Sequence, residues 1–299
     1  MNEPLRVDFR KPDLYTLSRR YTVVDMHFHS RFSDGTNGVR TIAANARRLG
    51  IGIAVTDHNA IRGAIDIARF KGLLTIPGIE VTSAEGTHLL VYFYAERDLQ
   101  AFYREDVKPF MGPDLMSSTS QEMGNLIRRA RRFRCLVIFP HPYSAAYTGI
   151  QNSYFSDEQR QVLYRQVDGV EVINAENMNK WNLQCTVLGF NLRKAMTAGS
   201  DGHRLTQMGR AVTYAACPPR REDFLDAVRD GRSWIVGKEV SLLRKMTSNT
   251  IKLRTSIRHY PELMEKNIRY SYALFNSKSR TLRSTVVRRF QERRQRSRW

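Results

Sequence analysis

The sequence predicts an α/β protein built from β/α units around a parallel sheet. Over residues 21–236, short runs rich in valine and isoleucine alternate with segments of helical periodicity. The 299 residues are 41% hydrophobic and 26% charged, so the chain can bury a sizeable core and is not globally disordered. No apolar run approaches the roughly 18 residues needed to span a bilayer, and residues 1–20 hold no signal-like segment. A cytoplasmic protein is therefore expected.

Eight strands and five helices are predicted in this alternating region. The strands are expected at residues 22–29, 52–58, 73–82, 87–94, 135–141, 169–174, 195–201 and 211–215. The helices are expected at residues 39–49, 61–70, 120–133, 157–166 and 180–192, with a further helix start at 219–223. Three cysteines at wide spacing match no disulfide or zinc framework, so free and mostly buried thiols are expected.

The excess positive charge is concentrated at the carboxyl end of the chain. The formal net charge is +19, and residues 238–299 contain 17 Lys or Arg against 4 Glu. The shift in charge predicts a domain boundary near residue 237, so the chain divides into a lead segment at residues 1–20, an α/β domain at 21–236 and a basic, partly helical extension at 237–299. Aromatic residues interleave with the basic ones in this extension, a pattern that suits RNA or single-stranded DNA. An anionic membrane is the competing partner, and a solubilising tail is the third interpretation.

Most histidines fall where predicted strands end. Five of the six histidines in the first 203 residues lie at or just past a strand's carboxyl end, while His88 begins a strand. In a β/α barrel these ends form one face, so side chains far apart in sequence can converge there. His27 and His29 are two residues apart and point to the same side of their strand. The mixed set of imidazoles and carboxylates, without thiolates, fits zinc, manganese or iron.

Seven stretches carry a family resemblance in their order and spacing: VVDMHFHSRFSDG, IAVTDHN, IPGIEVTS, THLLVYFY, FPHPY, GSDGH and GRAVTY. Together they resemble the polymerase and histidinol phosphatase (PHP) superfamily of metal-dependent phosphoesterases. The resemblance covers residues 21–236. It implies a distorted seven-stranded, TIM-like β/α barrel with two to three divalent metal ions at the carboxyl face.

The resemblance also implies a ligand set for each ion. The first-metal set is His27, His29, Glu80 and Asp201; the second-metal set is Glu80, His88 and His141; the third-metal set is Asp34, His58 and His203. Asp34 stands where other branches of the superfamily use a histidine. Asp25 and Asp57 are predicted to contribute to catalysis by orienting imidazole N–H groups rather than by binding metal.

A cluster of this kind generates hydroxide from water at neutral pH and neutralises the charge of a phosphate ester. The expected function is hydrolysis of a phosphate ester, of a nucleotide or oligonucleotide, with no Ser or Cys nucleophile. The segment from His29 to Asp34 most resembles the nucleotide branch of the superfamily. Two alternatives stay open: a phosphatase of small molecules such as histidinol phosphate, and a PHP-fold binding protein tethered to nucleic acid or membrane by its basic extension.

Overall fold

One mixed sheet of ten strands organises the described part of the chain, which is residues 5–144 and 148–239 of this computed structural model. The strands are β1 (Val7–Asp8), β2 (Thr22–Phe28), β3 (Gly52–Val55), β4 (Thr75–Thr82), β5 (His88–Phe93), β6 (Cys135–Phe139), β7 (Gly169–Asn174), β8 (Ala195–Gly199), β9 (Ala211–Ala215) and β10 (Ser233–Gly237). The α-helices are α1 (Leu14–Ser18), α2 (Val39–Leu49), α3 (Arg62–Ile67), α4 (Glu96–Phe102), α5 (Met123–Ala130), α6 (Asp157–Gln166), α7 (Asn179–Leu192) and α8 (Arg221–Arg229).

All eight predicted strands are present, and α2 and α6 have the predicted bounds. Helix α6 begins with a capping box, in which Ser156 and Gln159 exchange hydrogen bonds between side chain and backbone. The sequence missed β1, β10, α1 and α4. Of these, β1 has two residues and α1 has five, which is too short for a periodic pattern to show. Strand β1 pairs with β10, so residues assigned to the lead segment complete the sheet.

The sequence predicted a parallel sheet, but the observed sheet is mixed. The strand order is β1-β10-β9-β2-β3-β4-β5-β6-β7-β8. Strands β2, β3 and β4 are parallel, as are β6, β7 and β8, but β5 runs antiparallel to both of its neighbours. The physical reason is the connection at residues 83–87, which is too short for the crossover that a parallel pair requires. Strand β9 is also antiparallel, to β2 and to β10.

The sheet curls so that its last strand returns towards β2. The segment after β8 bonds to the end of β2, because Asp201 N donates to the His27 carbonyl at 2.8 Å and His29 N donates to the Gly202 carbonyl at 2.9 Å. The predicted α/β barrel is thus confirmed as a curled half-barrel of ten strands in place of seven. This closure is what brings the turn after β8 to the carboxyl end of β2.

Apolar side chains fill the concave side of the sheet below the strand ends. Ile76, Leu90 and Tyr92 belong to one buried cluster, and the buried face of α8 packs against the same cluster. Side chains alternate along a strand, so Glu80 on β4 and His88 on β5 point to the same side as these residues. The polar site therefore rests on a packed floor.

The remaining sequence predictions concern features outside the sheet. Cys135 and Cys185 are buried and Cys217 is half-buried, and all three are free thiols. Within the described residues, no helix combines the length and the apolar character needed to cross a membrane. Nearly all of the predicted basic extension lies outside the described residues, so its helical character and its partners stay predictions.

Candidate metal centre

The structure brings all nine predicted ligand residues to one edge of the sheet. They form four overlapping groups in which candidate ligand atoms lie within 4.8 Å of one another. The groups are His27, His29 and Asp201; His29, Asp34 and His203; His29, His58 and Glu80; and Glu80, His88 and His141. His88 joins the others although it begins its strand, because β5 is antiparallel and its amino end meets the carboxyl end of β4.

The four side chains of the first-metal set converge on one point. His27 Nε2 lies 3.2 Å from His29 Nε2, 3.3 Å from Glu80 Oε2 and 3.5 Å from Asp201 Oδ1. His29 Nε2 lies 3.0 Å from Asp201 Oδ1 and 3.4 Å from Glu80 Oε2. Ligand atoms at the corners of a tetrahedron with bonds of about 2.1 Å are separated by about 3.4 Å. The spacing is therefore that of a tetrahedral metal site.

Glu80 connects this set with the second. While its Oε2 faces His27 and His29, its Oε1 lies 2.8 Å from His88 Nδ1 and 3.3 Å from His141 Nε2. One carboxylate thus offers an oxygen to each of two neighbouring groups, which is the arrangement of a carboxylate that bridges two ions.

The third-metal set is also assembled. Asp34 Oδ2 lies 2.7 Å from His203 Nε2, and Asp34 Oδ1 lies 3.9 Å from His58 Nε2. The other nitrogen of His58 lies 3.1 Å from Glu80 Oε2, so His58 stands between this set and the first. The carbonyl of Asp201 accepts from His203 Nδ1 at 2.8 Å, so it is Nε2 of His203 that carries the lone pair a metal would bind.

Unusual backbone conformations aim two of these side chains. His141 and Asp201 have φ values of 31° and 49°, in the left-handed region that non-glycine residues rarely adopt. Gly199 supports the same region, because a Cβ at this position would lie 2.2 Å from the Cβ of His27. Strain of this kind is found at functional sites, where the surrounding structure holds it in place.

Two buried carboxylates of the centre, Glu80 and Asp201, keep their negative charge. Burial alone would raise the pKa of Glu80, but the imidazoles of His88 and His58 outweigh this effect and hold the pKa well below its usual range. Burial opposes ionisation of Asp201 as well, yet His27 and His29 keep its pKa well below the usual range. Burial lowers the pKa of His58, so this imidazole is neutral and its nitrogens can bind metal.

One buried atom shows that the donor set fits a metal. Glu80 Oε2 has no hydrogen-bond partner among the described residues, although His27, His29 and His58 each place a nitrogen 3.1–3.4 Å away. A buried carboxylate oxygen without a donor is costly, and a divalent ion at the centre of these nitrogens would remove that cost. The residues present therefore fit divalent ions such as zinc, manganese or iron.

Within the described residues, Asp25 and Asp57 hydrogen-bond to turns rather than to imidazoles, and their contribution to catalysis stays a prediction. Asp25 accepts from the backbone N–H groups of Ser200 and Gly209, each at 2.8 Å, and from the Ser200 hydroxyl at 2.6 Å. Asp57 accepts from the backbone N–H and hydroxyl of Ser30, both at 2.7 Å. Both carboxylates are buried, and they accept hydrogen bonds from backbone N–H groups of turns that would otherwise have no partner. They fix the turns that carry the candidate ligands rather than the ligands themselves.

Glu171 performs the role expected of those two residues. It is 1% exposed, its Oε1 accepts from His27 Nδ1 at 3.1 Å, and its Oε2 accepts from the backbone N–H of His141 at 3.1 Å. Asn174 donates to the same Oε2 at 2.9 Å and to Asp201 Oδ2 at 3.2 Å. The sequence gives one signal for such a role, because an acidic residue inside a buried strand requires a partner.

Glu171→Gln is expected to weaken metal binding by about 10- to 100-fold at the first-metal and second-metal sets. The amide keeps the size of the side chain, but its single oxygen cannot accept from both His27 and His141. Competition with a chelator measures the affinity, and circular dichroism checks the fold. Glu158→Gln, an exposed change on α6, is the control. Equal affinities in the two variants would refute this role for Glu171.

Comparisons with known proteins agree with this fold. A family model described as PHP-associated matches residues 191–233, a stretch that includes Asp201 and His203. An uncharacterized protein of Methanocaldococcus jannaschii is 27% identical over 169 residues, which is 55% of this chain and 82% of that protein.

Two solved structures are similar in fold. A two-domain protein from Bacteroides vulgatus, containing a predicted PHP-like metal-dependent phosphoesterase, has a TM-score of 0.55 at 20% identity, over 83% of this chain and 74% of that one. Endonuclease Q, in complex with a 27-mer duplex that has an abasic lesion at the active site, has a TM-score of 0.59 at 16% identity, over 73% and 60% of the chains. The chain therefore has a PHP-like fold with a PHP-associated segment, and its resemblance to the PHP superfamily is confirmed.

Proposed function

We propose that this protein is a metal-dependent phosphoesterase that hydrolyses a phosphate ester of a nucleotide or oligonucleotide. One observation carries the proposal: Glu80 turns one oxygen towards His27 and His29 and the other towards His88 and His141. Many enzymes that hydrolyse phosphate esters use two neighbouring metal ions, and a carboxylate that turns one oxygen towards each ion can bridge them. When bound, the ions supply Lewis-acid stabilisation of phosphate charge and an activated water nucleophile near neutral pH.

The ligand sets are proposed as the resemblance implies them. His27, His29, Glu80 and Asp201 would hold the first ion, with Glu80 shared with His88 and His141 for the second. Asp34, His58 and His203 would hold a third ion, for a total of two to three ions of manganese, zinc or iron.

The chain's own side chains prepare the site in two ways. Glu171 holds the proton of His27 on Nδ1, which points the lone pair of Nε2 at the shared centre. The three carboxylates Asp34, Glu80 and Asp201 stay ionised because surrounding imidazoles lower their pKa values. The donors are therefore preorganised, and little rearrangement is needed when a phosphate ester arrives.

The substrate class is supported by two features. The endonuclease that shares the fold was solved with a duplex substrate that has an abasic lesion at the active site. Residues 238–299 of this chain carry 17 basic residues against 4 acidic ones, which suits a polyanionic partner. Both features favour a nucleotide or nucleic-acid ester over histidinol phosphate, which offers a single phosphate group.

A substrate panel assayed with manganese, zinc and magnesium tests the function. It should contain nucleotides, single-stranded and duplex oligonucleotides, histidinol phosphate and sugar phosphates. Metal-dependent release of phosphate or of a nucleoside monophosphate from the nucleotide arm is the expected result. Turnover restricted to histidinol phosphate would support the small-molecule phosphatase instead. A protein that binds metal and nucleic acid but turns over no ester would support the binding-protein alternative.

The basic extension is expected to give salt-dependent binding to nucleic acid. Each neutralised phosphate on a single strand releases counterions, so log affinity should fall against log salt with a slope of about −0.7 per phosphate contact. Fluorescence anisotropy measures this slope. Truncation after Glu239 should abolish the binding and leave hydrolysis of a small ester intact, because every proposed ligand precedes the cut.

Truncation after Glu239 retains two hydrogen bonds that fix residues 238 and 239 to the rest of the domain. Lys238 N donates to the Arg210 carbonyl at 3.0 Å, and Glu239 accepts from Asn179 N at 2.7 Å. Binding to anionic vesicles without binding to RNA or DNA would assign the extension to a membrane instead. Binding to neither would remove one of the two supports for a nucleic-acid substrate.

A further inference from the structure

A cavity of about 690 Å³ lies at the end of the sheet opposite the metal centre. Its wall includes residues that precede or begin strands: Val167 before β7, Ala195 at the start of β8 and Gly231 before β10. The candidate metal ligands lie instead at or near the carboxyl ends of the parallel strands, where His88 joins them from the amino end of the antiparallel β5. Because β7 has six residues, about 20 Å of strand separates the two ends. The cavity is therefore distinct from the metal centre, and its size is that of a small-molecule site.

The wall of this cavity is strongly cationic. Its charged residues are Arg6, Arg131, Asp168, Arg165, Arg193, Lys194, Arg229 and Asp230. Both carboxylates are already paired, because Asp168 binds Arg131 at 2.9 Å and Asp230 binds Arg232, outside the wall, at 2.8 Å. Four cations have no carboxylate partner among the residues that the structure describes, and these are Arg6, Arg165, Arg193 and Lys194.

One of these four has an unsatisfied donor. The Nε of Arg6 is buried and has no hydrogen-bond partner within residues 5–144 and 148–239. Lys194 donates to the Val167 carbonyl at 2.7 Å, and an ammonium has two further donors. Gathered like charges repel, and a buried donor without an acceptor is costly. An anion in the cavity would relieve both.

An aromatic ring completes the wall. Phe190, on the last turn of α7, is 50% exposed and lines the same cavity as Arg193 and Lys194. An exposed ring beside phosphate-binding cations can stack on a base. We propose that the cavity binds a nucleoside di- or triphosphate, with the phosphates on the four unpaired cations and the base on Phe190. This site is remote from the metal centre and does not depend on the proposed phosphoesterase activity.

Isothermal titration calorimetry of the full-length, metal-loaded protein with ADP and with tripolyphosphate tests the proposal at low salt. We expect a site, separate from any binding at the metal centre, whose affinity for both probes falls about tenfold or more in Arg165→Gln/Arg193→Gln. Both arginines are exposed, so the change should not perturb folding. The control Arg97→Gln/Arg104→Gln removes the same charge from side chains that are 88% and 68% exposed elsewhere, and should leave the affinity unchanged.

Two further variants make the test selective. Phe190→Ala should weaken ADP binding by at least about fivefold and leave tripolyphosphate binding unchanged, since only ADP has a base to stack. Asp201→Asn should remove only binding at the metal centre and leave the affinity of the cavity for both probes unchanged. Binding that is lost in Asp201→Asn but kept in the double arginine variant would place the nucleotide at the metal centre and overturn the proposal. So would the absence of binding by the unaltered protein.

Discussion

Metal-dependent hydrolysis should fall at least about 100-fold when His27 or Asp201 is replaced by alanine, which corresponds to a loss of about 3 kcal/mol of transition-state stabilisation. Each residue contributes an atom to the first-metal set, where five ligand-to-ligand distances lie between 3.0 and 3.5 Å. Removing one of the four ligands leaves the ion with an incomplete coordination shell. Steady-state kinetics on the best ester of the substrate panel measures the loss.

A second variant separates a chemical effect from a folding defect. Asp201 has a positive φ of 49°, where asparagine is tolerated better than alanine, so Asp201→Asn keeps the backbone and removes the charge. It should be impaired as strongly as Asp201→Ala. Asp157→Ala, whose side chain is 88% exposed on α6, is the matched control and should retain full activity. Activity that survives Asp201→Asn in a folded protein would refute the assignment.

Asp34→Ala should reduce activity less than the change at Asp201. Asp34 belongs to the third-metal set, in which His58 Nε2 stands 3.9 Å away and turns its other nitrogen towards Glu80. An ion held there would position the phosphate without being bridged by Glu80. A loss as large as that of Asp201→Ala would show that all three ions share the chemistry.

Local pattern was enough to predict most of the fold and where the candidate ligands gather. The sequence shows a His-x-His pair at the end of one predicted strand and a histidine, His88, at the beginning of another. The antiparallel direction of β5 was not predicted, and yet it explains why His88 joins Glu80. The pairing direction depends on the short 83–87 connection, which an assumption of uniform β/α units overlooks.

The supporting hydrogen bonds could not be predicted, because they join residues far apart in the chain. Glu171 reaches His27 across 144 positions, and Asp25 reaches Ser200 across 175. Asp25 lies two residues before His27 in the sequence, but its carboxylate accepts hydrogen bonds from Ser200 and Gly209 and not from an imidazole. Only the curl of the sheet decides which carboxylate meets which imidazole.

Glu80→Gln is expected to remove more metal than any other single change, because Glu80 serves two sets at once. Its Oε1 lies 2.8 Å from His88 Nδ1 and its Oε2 lies 3.3 Å from His27 Nε2. The amide offers one neutral oxygen, and its NH₂ group would face nitrogens that must bind the other ion. Elemental analysis should find two to three ions per chain in the unaltered protein and a loss at two sites in the variant.

The matched control for this change is Glu105→Gln, at a half-exposed carboxylate that pairs with Arg104 and belongs to none of the candidate ligand groups. Its metal content should equal that of the unaltered protein. Loss of a single ion from Glu80→Gln would mean that Glu80 does not bridge, and less than one ion per chain in the unaltered protein after metal loading would refute the metal centre. If two ions are lost, the variant should also lose hydrolysis by at least about 100-fold, since neither phosphate neutralisation nor nucleophile activation would remain.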